Sequence, residues 1–314
     1  MAEKTIVVVG SLNFDLVVQV ERIPVVGETV LGRDFKTHPG GKGANQAGEI
    51  GKLGHPVHMI GRVGSDAFGV TLLENLESLG VNTEAVAVSA GPSGIAMIQV
   101  QANGDNNIVV AAGANATLSA ADLDDNRALI RQASIVLAQL EIPISTLAHL
   151  GWLCEMEDVP LLLDPAPACH LAPELLRRVT WITPNESEVQ HLTGIGIVPS
   201  TESEIRGLAE KLMRMGPKNV VLKLGERGAY LATADGTRAM IPAYPVDAID
   251  STAAGDAFNG AFAVALAEGA APADAVRYAT AAAAIAVTRE GALPSMPTRA
   301  EVEAFLVAQA EVAL

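Results

Sequence analysis

Short apolar runs alternate with longer amphipathic segments along most of this chain, and no other feature limits its possible folds as strongly. The apolar runs predict strands at residues 5–10, 57–61, 134–139, 160–163, 181–183 and 219–224. The amphipathic segments predict helices, for example at residues 67–79, 202–215 and 273–288. Because strands separated by helices usually pair in parallel, we expect an α/β fold with a mostly parallel central sheet and helices on both faces.

Two stretches interrupt this alternation. Residues 15–38 and 94–110 contain short β-like segments without a helix between them. They form either a small sheet of their own or long hairpins on the main sheet, and the pattern favours neither arrangement. Since the sequence contains no internal repeat and no flexible linker, residues 1–314 are expected to form a single domain that carries these stretches as an insertion.

A turn of small residues near the C-terminus has the features of an anion-binding site. Residues 250–260 read DSTAAGDAFNG, at the start of a long helical pattern. Small residues let a ligand approach the backbone, and the free N–H groups of a first helical turn attract an anion. Asp256 is then within reach of both this anion and an attacking hydroxyl group. Taken alone, the motif is more often a plain helix start with Asp256 as an ordinary cap.

A second glycine-rich motif, at residues 39–46, reads PGGKGANQ between a strand-like stretch and a helical one. It lacks the GxxxxGK[ST] spacing of a P-loop and the last glycine of the dinucleotide fingerprint GxGxxG. Its glycines are expected to expose backbone to a ligand. With Lys42 and Asn45 beside them, they suit the hydroxyl groups of a sugar better than a pyrophosphate.

The overall composition argues against several other functions. The chain has 314 residues, of which 49% are hydrophobic, so it can bury a large core. A net charge of −15 does not suit a nucleic-acid-binding surface, which needs clustered Lys and Arg. The two cysteines, Cys154 and Cys169, form no CxxC pair, and the six histidines are scattered. Neither a disulfide framework nor a zinc site is therefore indicated.

No segment indicates a membrane or secreted protein. The apolar run at residues 279–288 is too short to span a bilayer. The run at residues 5–10 lacks the cationic start and the length of a signal peptide. We therefore expect a cytoplasmic protein that binds small molecules, without a nucleic-acid or membrane partner.

Five motifs, taken together, resemble those of the ribokinase family of carbohydrate kinases, the phosphofructokinase-B type. Besides the two described above, they are GSLNFD at residues 10–15, NESE at residues 185–188 and LGERG at residues 224–228. The five motifs run along essentially the whole chain in the order found in the family. Five short patterns in the right order are far more specific than any one of them.

The resemblance implies transfer of a phosphoryl group from ATP to a sugar. Residues 39–46, 139–141 and 281–295 are most similar to the family members that phosphorylate D-ribose at O5, giving D-ribose 5-phosphate, so this reaction is expected. The alternatives are a kinase for 2-deoxyribose, fructose or a nucleoside, and a sugar-binding regulator without catalysis. The presence of both Asp256 and Glu188 argues against a regulator, which needs neither a base nor a metal–phosphate site.

The resemblance also implies catalytic and sugar-binding roles. Asp256 is expected to take the proton of the attacking hydroxyl, and the turn of Ala253, Ala254 and Gly255 leads into an anion hole formed by the N–H groups of residues 254–256. A carboxylate at a helix N-terminus should be a weak base, which suffices where the proton leaves late. The sugar-binding residues implied are Asn13, Asp15, Gly41, Lys42, Gly43, Ala44, Asn45, Glu141 and Asp256.

Nucleotide and metal sites are implied in the same way. The nucleotide-binding residues are Asn185, Glu188, Lys223, Leu224, Gly225, Glu226, Arg227, Gly228, Gly255 and Thr280. Mg²⁺ is expected to arrive with ATP and to be bound by Glu188 through water, because magnesium gives up its waters reluctantly. An activating K⁺ ion is expected at Asp250, Thr252, Ala286, Arg289, Gly291 and Ser295. Lys223 stands where family members often have a hydroxyl residue. Its side chain either contacts a phosphate or only points along the sheet, and the sequence leaves both alternatives open.

In this resemblance, residues 15–38 and 94–110 correspond to a β-structured lid that covers the sugar pocket and joins two subunits. We therefore expect a homodimer formed through the lid. Phe14, within the first motif, stands where family members vary, and it bears on the choice of substrate.

Overall fold

The buried apolar runs are strands of a ten-stranded central sheet, and four further strands form a second sheet. The computed structural model describes residues 4–101, 106–196 and 199–312. In chain order, the described strands are β1 (Ile6–Val9), β2 (Asn13–Val20), β3 (Asp34–Gly40), β4 (Val57–Gly64), β5 (Val81–Asn82), β6 (Val86–Ser89), β7 (Gly94–Gln101), β8 (Asn106–Ala111), β9 (Ile135–Ala138), β10 (Leu161–Leu163), β11 (Trp181–Ile182), β12 (Asn219–Lys223), β13 (Ala229–Ala232) and β14 (Arg238–Ile241).

Helices connect most of the parallel strands. The described α-helices are α1 (Lys42–Lys52), α2 (Ala67–Ser78), α3 (Ala120–Asp125), α4 (Arg127–Gln132), α5 (Ile144–Met156), α6 (Pro173–Leu176), α7 (Glu186–Thr193), α8 (Glu202–Met215), α9 (Ala254–Ala267), α10 (Pro272–Ala286) and α11 (Arg299–Val312). Among the residues that the structure describes, none of these helices combines the length and the apolar character needed to cross a membrane.

The central sheet has the strand order β14-β13-β12-β11-β10-β9-β1-β4-β5, and β6 pairs with the second half of β4. The pairs from β12 to β5 are parallel, whereas β13 and β14 add an antiparallel edge. Each predicted strand and helix overlaps an observed one. The predicted α/β fold with a mostly parallel sheet is confirmed.

Two apolar layers cover the faces of this sheet. Val8 and Leu137 point into one layer, which is completed by α1, α2, α9, α10 and α11. Val7 and Val136 point into the other, which is completed by the helices from α3 to α8. Since side chains alternate along a strand, burial on both faces explains why β1 and β9 are continuous apolar runs.

The second sheet has the order β3-β2-β7-β8, and only its central pair, β2 with β7, is parallel. The register places Asn13 beside both Gly40 and Gly94, so three strand ends lie together at the base of this sheet. The prediction of a separate small sheet is thus confirmed, and the alternative of hairpins on the main sheet is wrong. Residues 102–105 of the segment predicted at 94–110 lie outside the described residues.

Candidate active site

The polar residues of the predicted motifs meet at the carboxyl edge of the central sheet. The chain leaves β1 toward Asn13, β9 toward Glu141 and β12 at Lys223, all at this edge. The N-termini of α1 and α9 point to the same edge and contribute Asn45 and Asp256. In parallel α/β sheets, ligands bind at this edge.

The start of α9 differs slightly from its prediction. The helix begins at Ala254, and its cap, Ala253, has a left-handed backbone with φ of 57°. An alanine cap has no side-chain acceptor, so it does not satisfy the N–H groups of the first turn. Of the three predicted anion-hole donors, Ala254 instead donates to the carbonyl of Ser251 at 3.2 Å.

Asp256 is buried, with 5% of its surface exposed. Its Oδ2 accepts a hydrogen bond from Asn45 Nδ2, and its Oδ1 accepts one from Gln46 Nε2, each at 3.0 Å. Burial raises the pKa of Asp256 to about 6, although the charge of Lys42 opposes this shift. Asp256 is therefore a stronger base than an exposed carboxylate, because burial outweighs the opposing charge of Lys42 and the hydrogen bonds from Asn45 and Gln46.

Glu141 forms a second acidic centre. Its Oε2 accepts hydrogen bonds from Ser11 Oγ at 2.6 Å, from Asn13 Nδ2 at 3.2 Å and from the backbone N–H of Lys42 at 3.3 Å. Close by, burial raises the pKa of Asp15 to about 7, and the charges of Glu141 and Asp256 add to the shift. The carboxylates of Asp15, Glu141 and Asp256 therefore border one space, which we call the acidic space.

Lys42 supplies positive charge to this acidic space. Burial by itself lowers the pKa of its ammonium group, but the charges of four carboxylates raise it overall. In decreasing order of effect, these carboxylates are Asp256, Asp164, Glu141 and Glu188. A charged ammonium in this position can donate to sugar hydroxyls or to phosphate oxygens.

The glycines of the PGGKGANQ motif allow close packing. Gly41 has φ of 92°, and a Cβ there would lie 2.6 Å from the backbone nitrogen of Asn13. A Cβ on Gly43 would lie 2.6 Å from the backbone nitrogen of Ser11, and Ala44 N–H donates to the Ser11 carbonyl. Gly41 and Gly43 thus allow the start of α1 to pack closely against the segment after β1. The contact of this backbone with a ligand stays a prediction.

Phe14 lies away from the acidic space. Its ring stacks on Phe68, with 4.3 Å between the ring centroids, and it is buried. Because neighbouring residues of a strand point to opposite faces, Phe14 and Asp15 lie on opposite faces of β2.

Three residues that were not among the predicted site residues complete the site around Asp256. Gln46 Nε2 donates to Asp164 Oδ2 at 3.0 Å as well as to Asp256. Gln139 Nε2 donates to Gln46 Oε1 at 2.7 Å and so fixes the orientation of the Gln46 amide. Asp164 follows the predicted strand at residues 160–163 directly. That position, at the carboxyl end of a parallel strand, could have identified it.

Asn115 is a fourth residue that sequence reasoning missed. Its Nδ2 donates to Asn13 Oδ1 at 2.8 Å, and its Oδ1 accepts from the Leu12 N–H at 2.9 Å. This turns Asn13 Nδ2 toward Glu141. The two asparagines are about a hundred residues apart in the chain, and no local pattern marks their contact.

The predicted nucleotide residues lie around the ends of α7 and β12. Asn185 and Glu188 form a capping box at the start of α7, in which Glu188 Oε2 accepts from the Asn185 N–H at 2.7 Å. After β12, a short turn spans Gly225–Arg227. Arg227 pairs with Glu186 and donates to the carbonyl of Pro199 at 2.8 Å.

The remaining nucleotide residues differ in exposure. Leu224 is buried and Glu226 is exposed. Gly228 has φ of 92°, and a Cβ there would lie 2.1 Å from the Ile241 carbonyl oxygen. Thr280 is buried in α10, where its hydroxyl donates to the carbonyl of Val276 at 2.8 Å.

Most of the predicted cation residues lie on two loops that Asp250 joins, whereas Ala286 is the last residue of α10. Its Oδ1 accepts from the Thr252 N–H and its Oδ2 from the Gly291 N–H, each at 2.9 Å. Burial opposes the shift, but these hydrogen bonds lower the pKa of Asp250 overall. Ala286 and Ser295, on either side of Gly291 in the sequence, are buried. Arg289 donates a weak hydrogen bond to the Ser295 carbonyl, with an N–O distance of 3.5 Å. Within the described ranges, no group of three or more His, Cys, Asp or Glu side chains is arranged to hold a metal ion.

Comparison with known proteins identifies relatives over nearly the full length. The model of the family described as "pfkB family carbohydrate kinase" matches residues 3–299. The ribokinase of Bacillus subtilis is 42% identical over 304 residues, which cover 96% of this chain and 99% of the relative. The deoxyribokinase of Salmonella typhi is 36% identical over 303 residues, covering 96% of this chain and 98% of the relative.

Solved structures give the same result. The crystal structure of a ribokinase from Thermotoga maritima matches with a TM-score of 0.88 at 40% identity, over 96% of this chain and 99% of the other. A structure of Arabidopsis thaliana ribokinase complexed with ribose and ATP matches with a TM-score of 0.89 at 37% identity, over 96% of this chain and 98% of the other.

Proposed function

This chain belongs to the pfkB family of carbohydrate kinases, and we propose that it transfers the γ-phosphoryl group of ATP to O5 of D-ribose. The observation that carries the proposal is the buried carboxylate of Asp256, which lies at the N-terminus of α9 and shares its surroundings with Asp15 and Glu141. The ribokinases among the relatives support ribose as the acceptor.

In the proposed complex, the acidic space binds the sugar. Asp15 and Glu141 accept hydrogen bonds from its hydroxyl groups, and Asn13 donates one, because Asn115 holds the Asn13 amide in the donor orientation. Asn45 Oδ1 is buried and has no hydrogen-bond partner among the described residues, which suits an additional contact to a hydroxyl. The segment from Gly41 to Ala44 and the ammonium of Lys42 close this side of the pocket.

The transfer step uses Asp256 as the base. The O5 oxygen attacks the γ-phosphorus, and the O5 proton passes to the carboxylate of Asp256. A bond between O5 and phosphorus forms while the bond from phosphorus to the bridging oxygen breaks, so the electron pair leaves with ADP. The N–H groups of Gly255 and Asp256 stabilise the charge on the phosphoryl oxygens, with Ala253 and Ala254 shaping the turn.

The nucleotide and its metal ions are proposed at the edge formed by α7, β12 and α10. Asn185, Lys223, Thr280 and the loop of residues 224–228 bind ATP. When bound, Mg²⁺ neutralises phosphate charge, and a single carboxylate such as Glu188 suits a metal that keeps most of its waters. A K⁺ ion fits the loops that Asp250 joins, because this carboxylate is kept ionised and the loops offer backbone carbonyls.

The second sheet is proposed to be a lid inserted into one domain, covering the sugar and pairing two chains into a homodimer. The cytoplasmic location stays a prediction. A 2-deoxyribose kinase is the second candidate, since relatives named deoxyribokinase match over the same length.

The experiment that tests this function is an assay of ADP formation from magnesium-ATP with potassium present. Ribose, 2-deoxyribose, fructose and adenosine are compared at matched concentrations, and ribose is expected to give the highest kcat/KM. Faster turnover of 2-deoxyribose would move the proposal to that sugar. If folded protein phosphorylates none of the four, the sugar-binding regulator becomes the better interpretation.

The role of Asp256 is tested by Asp256→Asn. We expect kcat to fall by about 100-fold or more, the usual contribution of a general base. The change keeps the shape of the side chain and one of the two acceptor oxygens, so the affinity for ATP should change little, and a melting temperature above the assay temperature shows that the variant is folded. Retention of most activity in the folded variant would exclude Asp256 as the base and leave it a structural residue of the first turn of α9.

A further inference from the structure

A buried charge pair lies beside the start of α9. Lys223 Nζ, at the end of β12, is 3.0 Å from Oδ1 of Asp164, which follows β10, and the two side chains are only 13% and 2% exposed. Burying two charges costs solvation free energy, and apolar residues often stabilise such a position equally well. Stability alone therefore gives no reason for this pair.

The ammonium of Lys223 lies next to the proposed anion hole. A Cβ built on Gly255 would be 3.3 Å from Lys223 Nζ. Lys223 also acts on the proposed magnesium residue, because its charge opposes the rise that burial causes in the pKa of Glu188. An ammonium group has three N–H donors, and Asp164 occupies one of them.

Asp164 connects this lysine to the base. Its Oδ1 accepts from Lys223, while its Oδ2 accepts from the Gln46 amide that also donates to Asp256. Gln139 fixes the same amide from the other side. Both oxygens of the Asp164 carboxylate thus accept hydrogen bonds. These bonds fix the orientation of the carboxylate, which in turn fixes the position of the Lys223 ammonium group.

We propose that Lys223 is a catalytic residue that contacts the γ-phosphoryl group of ATP, and that Asp164 is a positioning residue that holds the Lys223 ammonium beside the N-terminus of α9. This inference rests on the proposed phosphoryl transfer at Asp256. A hydroxyl at position 223 supplies a neutral hydrogen bond, whereas lysine adds a full positive charge in a site shielded from water, where charge-assisted bonds are stronger. The charge lies where negative charge collects on the phosphoryl oxygens.

A double-mutant cycle tests both roles. We expect K223M to lower kcat about 10- to 100-fold, and to weaken binding of magnesium-ATP much more than binding of AMP, measured by calorimetry. The KM for ribose should stay within about twofold, because the sugar contacts lie elsewhere. D164N should lower kcat about tenfold when Lys223 is present, but less than about twofold in the K223M background.

The double variant and two further variants test whether an unpaired carboxylate or the loss of any ion pair could explain the slower reaction. D164N/K223M removes the unpaired carboxylate that K223M leaves behind, and it should still be slower than the unmodified enzyme. K223R, which keeps the charge, should recover part of kcat. E155Q/R178M removes a more exposed ion pair away from the site and should leave kcat unchanged. Melting temperatures show that each variant is folded, and K223Q replaces K223M if the latter does not fold.

Three results would overturn the inference. Equal losses from D164N in both backgrounds would mean that Asp164 acts through Gln46 and Asp256 instead of through Lys223. An unchanged kcat in K223M, or equal weakening of ATP and AMP, would remove Lys223 from the γ-phosphoryl site. If the unmodified enzyme phosphorylates no sugar, the proposed function fails, while the comparison of ATP with AMP still decides the contact of Lys223.

Discussion

Burial and neighbouring charges set the protonation of the acids at the centre of the site. Burial raises the pKa of Asp15 to about 7, helped by the charges of Glu141 and Asp256. Burial raises the pKa of Asp256 to about 6 against the opposing charge of Lys42. Exposed aspartates titrate some two to three pH units lower, at about 4. These two acids therefore change charge close to neutral pH.

These two pKa values predict that the activity of the enzyme falls on the acid side of its pH profile. The proposed roles need both carboxylates ionised, because Asp256 takes a proton and Asp15 accepts hydrogen bonds from hydroxyls. As the pH falls, Asp15 gains a proton first and Asp256 next, so kcat/KM for the sugar should fall as the pH passes from about 7 to about 6.

The measurement is kcat/KM for ribose from pH 5 to pH 9 at saturating magnesium-ATP. The dissociation constant of magnesium-ATP, measured over the same range, shows how much of the change belongs to the nucleotide. A profile that stays flat down to pH 5 would contradict the proposed ionised roles of Asp15 and Asp256.

Among the structural elements, the contact between α1 and α9 has the largest effect on the site. A Cβ on Gly260 would lie 2.8 Å from Cβ and Cγ of Glu49 and 3.0 Å from the Gln46 carbonyl oxygen. Only a residue without a side chain allows the helices to approach this closely. The close approach lets Asn45 and Gln46 on α1 reach Asp256 on α9, which joins the two glycine-rich motifs in one site.

The same contact buries Glu49 completely. Neither of its carboxylate oxygens has a hydrogen-bond partner among the described residues. Burial raises the pKa of Glu49 well above its ordinary value. The native protein therefore keeps a proton that the unfolded chain releases above pH 4.5. Since the native state then binds more protons than the unfolded state, this group lowers stability as the pH rises.

Replacing the carboxyl with an apolar group should stabilise the protein. We expect Glu49→Met to increase the free energy of unfolding by about 1–3 kcal/mol at pH 8, because it removes a buried polar group without partners. The gain should shrink as the pH is lowered to 5, where the folded and unfolded forms of Glu49 differ less in protonation.

Urea unfolding at pH 5 and pH 8 measures this difference. Glu74→Met, on the exposed side of α2, is the matched control and should change stability little at either pH. A stability loss at pH 8 in Glu49→Met would show that the carboxyl has a partner, such as buried water, that compensates for its burial.

For the whole molecule, the exposed apolar side chains of the second sheet are the feature with the largest consequence. Val110 pairs with Ala96, and Ala96 with Asp15, so Val110 and its alternate neighbour Ile108 share the face of Asp15. Ile108 is 49% and Val110 is 47% exposed. Val109, on the opposite face, is exposed as well. We propose the Asp15 face as the contact between two lids, because a partner sheet there also shields the sugar.

We therefore expect dimerisation to depend on which face of the second sheet receives an added charge. Ile108→Glu should convert a dimer into monomers at micromolar concentration, since it buries an unpaired carboxylate between the sheets. Val109→Glu carries the same charge on the other face and should leave the dimer intact. Sedimentation velocity gives the mass of each variant. A monomeric unmodified protein, or two variants of equal mass, would contradict this interface.

Local sequence determined most of the fold. The apolar runs of β1 and β9 and the helical period of α8 depend on residues close in the chain, and so do the capping box at Asn185 and the glycine-rich turns. These signals exist before the chain folds, because periodicity, capping and backbone freedom act over a few residues. They also gave the order of the motifs, and through it the resemblance to a kinase family.

The tertiary structure decided how the site works. Gln46 meets Asp164, and Asn13 meets Asn115, across about a hundred or more residues of chain, and no local pattern encodes such pairs. The pKa of Asp256 depends on how completely the closed structure removes it from water. Desolvation and long-range contacts arise only when the sheet and helices pack together. The sequence alone therefore predicted many of the residues proposed to carry chemistry, and only the packed structure determined their partners, orientation and charge.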